Sequence, residues 1–192
     1  MEREVLLTGI GGQSIQLAAH VLARAAIREE REVLLLGTYG GTMRGGPTDS
    51  TLVVADAPIE APPIVSRAWS ALVMHHAFFA PIARRLRPRA VVVVNASLFE
   101  GELDRHAHRV FDVPATQIAS EVGNGLAASL VLLAAYAALT GLVGIGSLVE
   151  AMRDSVPAYR RQHLGANERA LRAGFEAAPA GAAPAWETGR AA

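Results

Sequence analysis

Two glycine-rich stretches near the start of the chain hold the residues best suited to chemistry. Gly9-Ile10-Gly11-Gly12-Gln13-Ser14 follows a short apolar run and leads straight into a helical pattern. Arg44 stands alone in a second loop, followed by Gly45 and Gly46. Glycines let backbone N–H groups approach a ligand closely, and the N-terminus of a following helix favours negative charge. An arginine flanked by glycines can grip a phosphate or carboxylate through two parallel bonds, with backbone N–H groups helping. Both stretches follow strands, and carboxyl ends of strands form the ligand edge of an open α/β sheet. The Arg44 loop is therefore expected beside Gly11 and Gly12. The chemistry on offer is anion recognition.

A nicotinamide dinucleotide is the obvious anion, but the pattern fits it poorly. Ser14 replaces the last glycine of G-x-G-x-x-G, and a carboxylate is wanted at the end of the second strand to hold the ribose. That position reads Gly37-Thr38, and the nearest acids, Glu29, Glu30 and Glu32, come before the strand. A purely structural tight turn explains the glycines better than a bound dinucleotide does.

The remaining reactive residues form no constellation. His75 and His76 end a strand, where neighbours point to opposite faces, so a shared metal is not expected. His106 and His108 could share a face but have no third ligand nearby in sequence. Asp49 and Asp112 have no partner at a fixed spacing, and Ser14 has no visible base. No P-loop, metalloprotease helix or nucleophile elbow is present. No catalytic residue and no metal ligand is therefore assigned.

These residues must be positioned by alternating strands and helices. Strand character appears at Val5 to Leu7, Val33 to Leu36, Ser50 to Ala55, Ala71 to Met74, Val91 to Asn95 and Val110 to Val113. The run at Val33 reads as a parallel strand covered on both faces. Helical periodicity covers Ile15 to Ile27, Phe78 to Leu86, Ala115 to Val122, Leu126 to Leu139, Ser147 to Met152 and Asn167 to Phe175. Pro88 is expected to stop the second of these. The pattern predicts an α/β fold: a Rossmann-like, doubly wound and mostly parallel sheet, with helices on both faces and further helices at the C-terminal end. Residues 1–176 read as a single domain, and 177–192, rich in Ala, Pro and Gly, as a disordered tail.

Composition narrows the class. The 192 residues carry 18 basic and 18 acidic side chains, so nothing suggests a nucleic acid or an anionic membrane as partner. There is no cysteine, which excludes a disulfide or a cysteine-held iron–sulfur cluster on this chain. No secretory leader is evident, and a cytoplasmic location is expected. The charge-free stretch between Glu121 and Glu150 is interrupted by Gly141, Gly144 and Gly146, so it reads as a buried helix rather than a membrane span. Its apolar residues surround the helix on all sides, which requires cover from the C-terminal helices or from another subunit.

Together these pieces resemble the gamma subunit of the 2-oxoacid:acceptor (ferredoxin) oxidoreductases, the family that acts on pyruvate, 2-oxoglutarate, ketoisovalerate and indolepyruvate. The resemblance runs from Val5 to about Phe175. It rests on Gly9-Ile10-Gly11-Gly12-Gln13, on the Tyr39 to Gly46 loop with Arg44-Gly45-Gly46, on Val113-Pro114-Ala115-Thr116 with Gly123-Asn124, and on the segment Asn167 to Gly174. Ser14 departs from the family's glycine, and Pro47-Thr48-Asp49 stands where the family often has a glutamate.

The resemblance implies a multi-subunit enzyme that oxidatively decarboxylates a 2-oxoacid with coenzyme A, giving an acyl-CoA, carbon dioxide and a reduced acceptor. It implies thiamine diphosphate and Mg2+ on alpha and beta partner subunits, and iron–sulfur clusters on a further subunit or ferredoxin. On this chain it points to Gly9, Gly11, Gly12, Gln13, Arg44, Gly45 and Gly46, either lining the coenzyme A entrance or docking a subunit. The alternatives are a stand-alone NAD- or flavin-dependent enzyme and a phosphate-ligand binding module.

Overall fold

The computed structural model describes residues 1–39, 46–60 and 64–186. Its centre is β1 (Glu2–Ile10), followed by α1 (Ile15–Arg28), β2 (Glu32–Tyr39) and β3 (Pro47–Ala55). The chain continues through β4 (Ala68–Val73), a 3-10 turn at His76–Phe78, α2 (Phe79–Ala83), β5 (Leu86–Asn95) and β6 (Arg109–Val113). It then becomes helical: α3 (Ala115–Glu121), α4 (Ala128–Thr140), α5 (Ile145–Ser155), a 3-10 helix at Ala158–His163 and α6 (Leu164–Glu176).

The six strands lie in the order β2-β3-β1-β4-β5-β6. β1, β4, β5 and β6 are parallel, as the alternating pattern predicts. The β2 side is different. β3 is antiparallel to both β1 and β2 and separates them. The expectation of a parallel, doubly covered strand at Val33 to Leu36 is therefore corrected: β2 is an antiparallel edge strand, and Leu36 is 37% exposed. The reason is connection length. A parallel crossover needs about a dozen residues or more, and too few separate Tyr39 from Pro47 to provide one.

Pleating divides the apolar strand residues between two cores. Val5, Leu7, Leu52, Val54, Leu72, Val91 and Val93 face the layer built from α1 and α3 to α6. Leu6, Val53, Ala71, Val73, Val92 and Val94 face the thinner cover that includes Ile82 of α2, Val65 and Phe99. Helices thus lie on both faces, but unequally. Pro88 sits inside β5 rather than ending a helix. The β4–β5 register shifts between the pairs Ala68–Leu86 and Ser70–Val91, and Arg89 adopts φ 60°, so the proline is accommodated at an irregularity.

Every residue of α4 is buried. Its cover comes from this chain: α6 and α3 pack along it, with α1, α5 and the sheet. Tyr136 projects to the sheet, where its hydroxyl meets Ser70 Oγ at 2.9 Å. Burial pushes the Tyr136 pKa far up, so the phenol stays neutral. The all-round apolar pattern is thus satisfied internally and by itself does not call for another subunit.

Residues 177–186 complete that cover, which corrects the expectation of disorder over this part of the tail. Gly181, Ala183 and Ala185 donate backbone bonds to the carbonyls of Ala138, Leu139 and Thr140. These carbonyls end α4 and have no partner within it. Ala183 and Ala185 are buried, and the Trp186 indole donates to the Leu142 carbonyl at 3.2 Å. Composition suggested disorder, but alanines need little room and fit against a helix end.

Candidate functional site

The carboxyl ends of β1 and β2 lie on the same sheet edge, because both strands are antiparallel to β3. The Gly11 amide donates to the Gly46 carbonyl at 2.9 Å, and Ile10 pairs with Pro47 directly below. The first glycine turn and the end of the Arg44-Gly45-Gly46 motif are therefore neighbours, as sequence placed them. Arg44 and Gly45 themselves lie outside the described residues.

Each residue of the first turn has a distinct part. A Cβ on Gly9 would sit 2.7 Å from Gln13 Oε1 and 2.8 Å from Ile15 Cδ1, so Gly9 is there for packing. Gln13 turns back and accepts the Ile10 amide at 2.8 Å, closing the turn beneath any ligand. Gly12 has φ 105° and faces open space. Ser14 begins α1 in the left-handed region, φ 58° and ψ 30°, and its hydroxyl makes no capping bond. That conformation explains why glycine suits the position in the motif. Below the turn, the Thr8 hydroxyl donates to Asp49 Oδ1 at 2.6 Å, and the Gln16 side chain donates to the Asp49 carbonyl at 3.0 Å. Asp49 thus ties β3 to β1.

Sequence reasoning missed a cleft of about 520 Å³ beside this turn. Gly12, Ser14 and Leu17 form one wall, Leu126 and Leu130 another, and Val156, Arg160 and His163 the third. Asn124 and Asn167 also line it, joined at 2.9 Å from Nδ2 to Oδ1. Two motifs far apart in sequence thus meet at the cleft. The Val-Pro-Ala-Thr motif instead anchors α3: Asn95 Oδ1 accepts the Thr116 amide at 3.2 Å, and Asn95 Nδ2 donates to the Thr116 hydroxyl at 2.8 Å.

The other candidates are structural. His75 and His76 come after β4 ends at Val73, so strand alternation does not separate them. Their rings stack at 4.6 Å, and His75 Nδ1 accepts the Ala77 amide. Asp112 pairs with Arg105 at 2.6 Å. His106 and His108 flank a turn held by Asp104, whose pKa is lowered mainly by the Ala107 N–H. Among the described residues no three His, Cys, Asp or Glu side chains are placed to hold a metal. None of the helices they form is long and apolar enough to cross a membrane.

The chain as a whole is similar to known proteins. Residues 4–177 match the family described as pyruvate ferredoxin/flavodoxin oxidoreductase. The 2-oxoglutarate synthase subunit KorC of Methanocaldococcus jannaschii is 31% identical over 160 residues, 82% of this chain and 85% of the relative. The keto/oxoacid ferredoxin oxidoreductase gamma subunit from Geobacter sulfurreducens superposes with a TM-score of 0.79 at 25% identity, covering 92% of this chain and 96% of that one. A 2-oxoglutarate:ferredoxin oxidoreductase from Magnetococcus marinus, solved with 2-oxoglutarate, coenzyme A and succinyl-CoA bound, shares the fold at TM-score 0.81 and 18% identity, covering 92% of this chain and 31% of that one.

Proposed function

Because the chain belongs to the pyruvate ferredoxin/flavodoxin oxidoreductase family, we propose that it is the gamma subunit of a multi-subunit 2-oxoacid:acceptor oxidoreductase. The complex oxidatively decarboxylates a 2-oxoacid with coenzyme A and passes the electrons to ferredoxin or a related acceptor, in the cytoplasm. Thiamine diphosphate and Mg2+ belong to the alpha and beta subunits, and the iron–sulfur clusters to a further subunit or to ferredoxin. A chain without cysteine fits that division.

On this chain, Gly11, Gly12 and Gly46, with Arg44 and Gly45, line the coenzyme A entrance, while Gly9 and Gln13 shape the turn. The observation that carries this is the Gly11–Gly46 bond, which brings both glycine motifs to one sheet edge beside the cleft. Backbone N–H groups at the start of α1 suit a phosphate there. A dinucleotide enzyme is disfavoured by topology: β3 stands between β1 and β2, so they do not form the adjacent parallel pair of a βαβ unit.

The test is Arg44→Ala in the assembled complex. The expected result is a KM for coenzyme A raised about tenfold or more with assembly intact, matching loss of a charge-assisted phosphate contact. Weakened assembly, with an unchanged KM in the complex that still forms, would assign the loop to subunit docking instead.

A further inference from the structure

The far rim of the cleft has properties that a phosphate at the glycine turn does not use. Residues 157–163 are exposed without interruption, forming the 3-10 helix Ala158–His163 and the proline before it. Tyr159 is 73% exposed, and Leu126, on the adjacent wall, is 82% exposed. Large apolar side chains left this open, next to a concave surface, mark interaction sites. The rim also carries the Arg160 guanidinium. Arg160 and His163 lie three positions apart, on one side of a 3-10 helix, and both line the cleft. Neither has a carboxylate partner among the described residues. Arg160 lies over its own neighbour's ring, 5.5 Å from the centre of Tyr159. The nearby Glu168 is already taken by Arg153 and Arg172. Among the described residues no acidic side chain lines the cleft.

We infer that this rim, Leu126, Tyr159, Arg160 and His163, is the surface by which the chain docks a partner subunit, through an acidic segment that also places an apolar side chain in the cleft. The inference rests on the reading of the chain as one subunit of a complex. Tyrosine and arginine at the edge of an apolar pocket are the residue types that dominate association energy. An acid facing Arg160 supplies the missing countercharge, and an apolar anchor covers Leu126. A phosphate at Gly11 and Gly12 is met by backbone N–H groups and itself makes no use of Leu126 or Tyr159.

The experiment uses the chain with its alpha and beta subunits, measuring the dissociation constant at two salt concentrations. Variants are Arg160→Glu, Leu126→Ser and, as a control on the exposed face of α1, Arg24→Glu. Thermal melting checks that each folds. The expected result is association weakened about tenfold or more by Arg160→Glu and by Leu126→Ser, reduced salt sensitivity in the former, and less than about a twofold change in the control. Wild-type association in both rim variants would overturn the inference while leaving the subunit reading intact. Normal association with a raised KM for coenzyme A would also overturn it, assigning the rim to the co-substrate. A wild-type chain that binds neither subunit would overturn both readings.

Discussion

Gly174 of α6 lies so close to Val131 of α4 that a Cβ on the glycine would sit 2.2 Å from the Val131 carbonyl oxygen. The contact is with backbone, so no side-chain rotation can relieve it. It sets the approach of two helices in the thicker helical layer on the sheet.

Gly174→Ala is therefore expected to destabilise the fold by about 2 kcal/mol or more, since the helices must separate to admit the methyl group. For a chain of this size the melting temperature should fall by about 4–8 °C. A variant that melts with the parent would show that α4 and α6 can slide apart freely.

Ser14→Gly is expected to act in the opposite direction. A left-handed serine costs about 1–2 kcal/mol, while glycine returns about 0.4–1 kcal/mol through a freer unfolded chain. The net gain is about 0.5–1 kcal/mol, measurable as a higher urea midpoint with an unchanged slope. An unchanged or lower midpoint would mean that the serine is not strained there.

Removing residues 177–192 is expected to destabilise the protein clearly, because three carbonyls at the end of α4 lose their donors. Trp186→Ala isolates one part of this. It deletes the bond to Leu142 and the stacking of Arg31, whose guanidinium lies 4.2 Å from the ring centre. About 1–3 kcal/mol should be lost. Equal urea midpoints for the full and shortened chains would return this segment to the status of a dispensable tail.

Acid sensitivity should pass in part through Glu168. Hydrogen bonds from Arg172 and then Arg153 lower its pKa below the ordinary 4.5. A folded-state value below the unfolded one gives stability that is present above about pH 4.5 and lost as pH falls through the folded value. Glu168→Gln should therefore lower stability at neutral pH and flatten the loss on acidification. Parallel stability–pH curves for variant and parent would exclude this contribution.

The parts legible in sequence were those set by local pattern. The β1–glycine–α1 opening, the Val91 to Asn95 strand and the α4 helix all follow from periodicity and punctuation. The neighbourhood of Gly11 and Gly46 followed from strand polarity, although β2 was assigned the wrong kind of neighbour. Tyr39 and Pro47 are too close in sequence for a crossover, and that spacing was the available signal. The cleft was not legible because Ser14, Leu126 and Arg160 come from three distant segments, joined only by packing. Residues 177–186 misled for a related reason: their order derives from the α4 carbonyls they meet, not from their own composition.

The segment that closes α4 is also tied to the start of the chain, since the Arg3 guanidinium donates to the Ala185 carbonyl. During synthesis, α4 and β1 emerge well before it. Until residues 181–186 are in place, the last turn of the most apolar helix leaves the Ala138, Leu139 and Thr140 carbonyls without donors. Closure of the most apolar helix thus waits on a few small residues that join it late in the chain and tie it to the first strand.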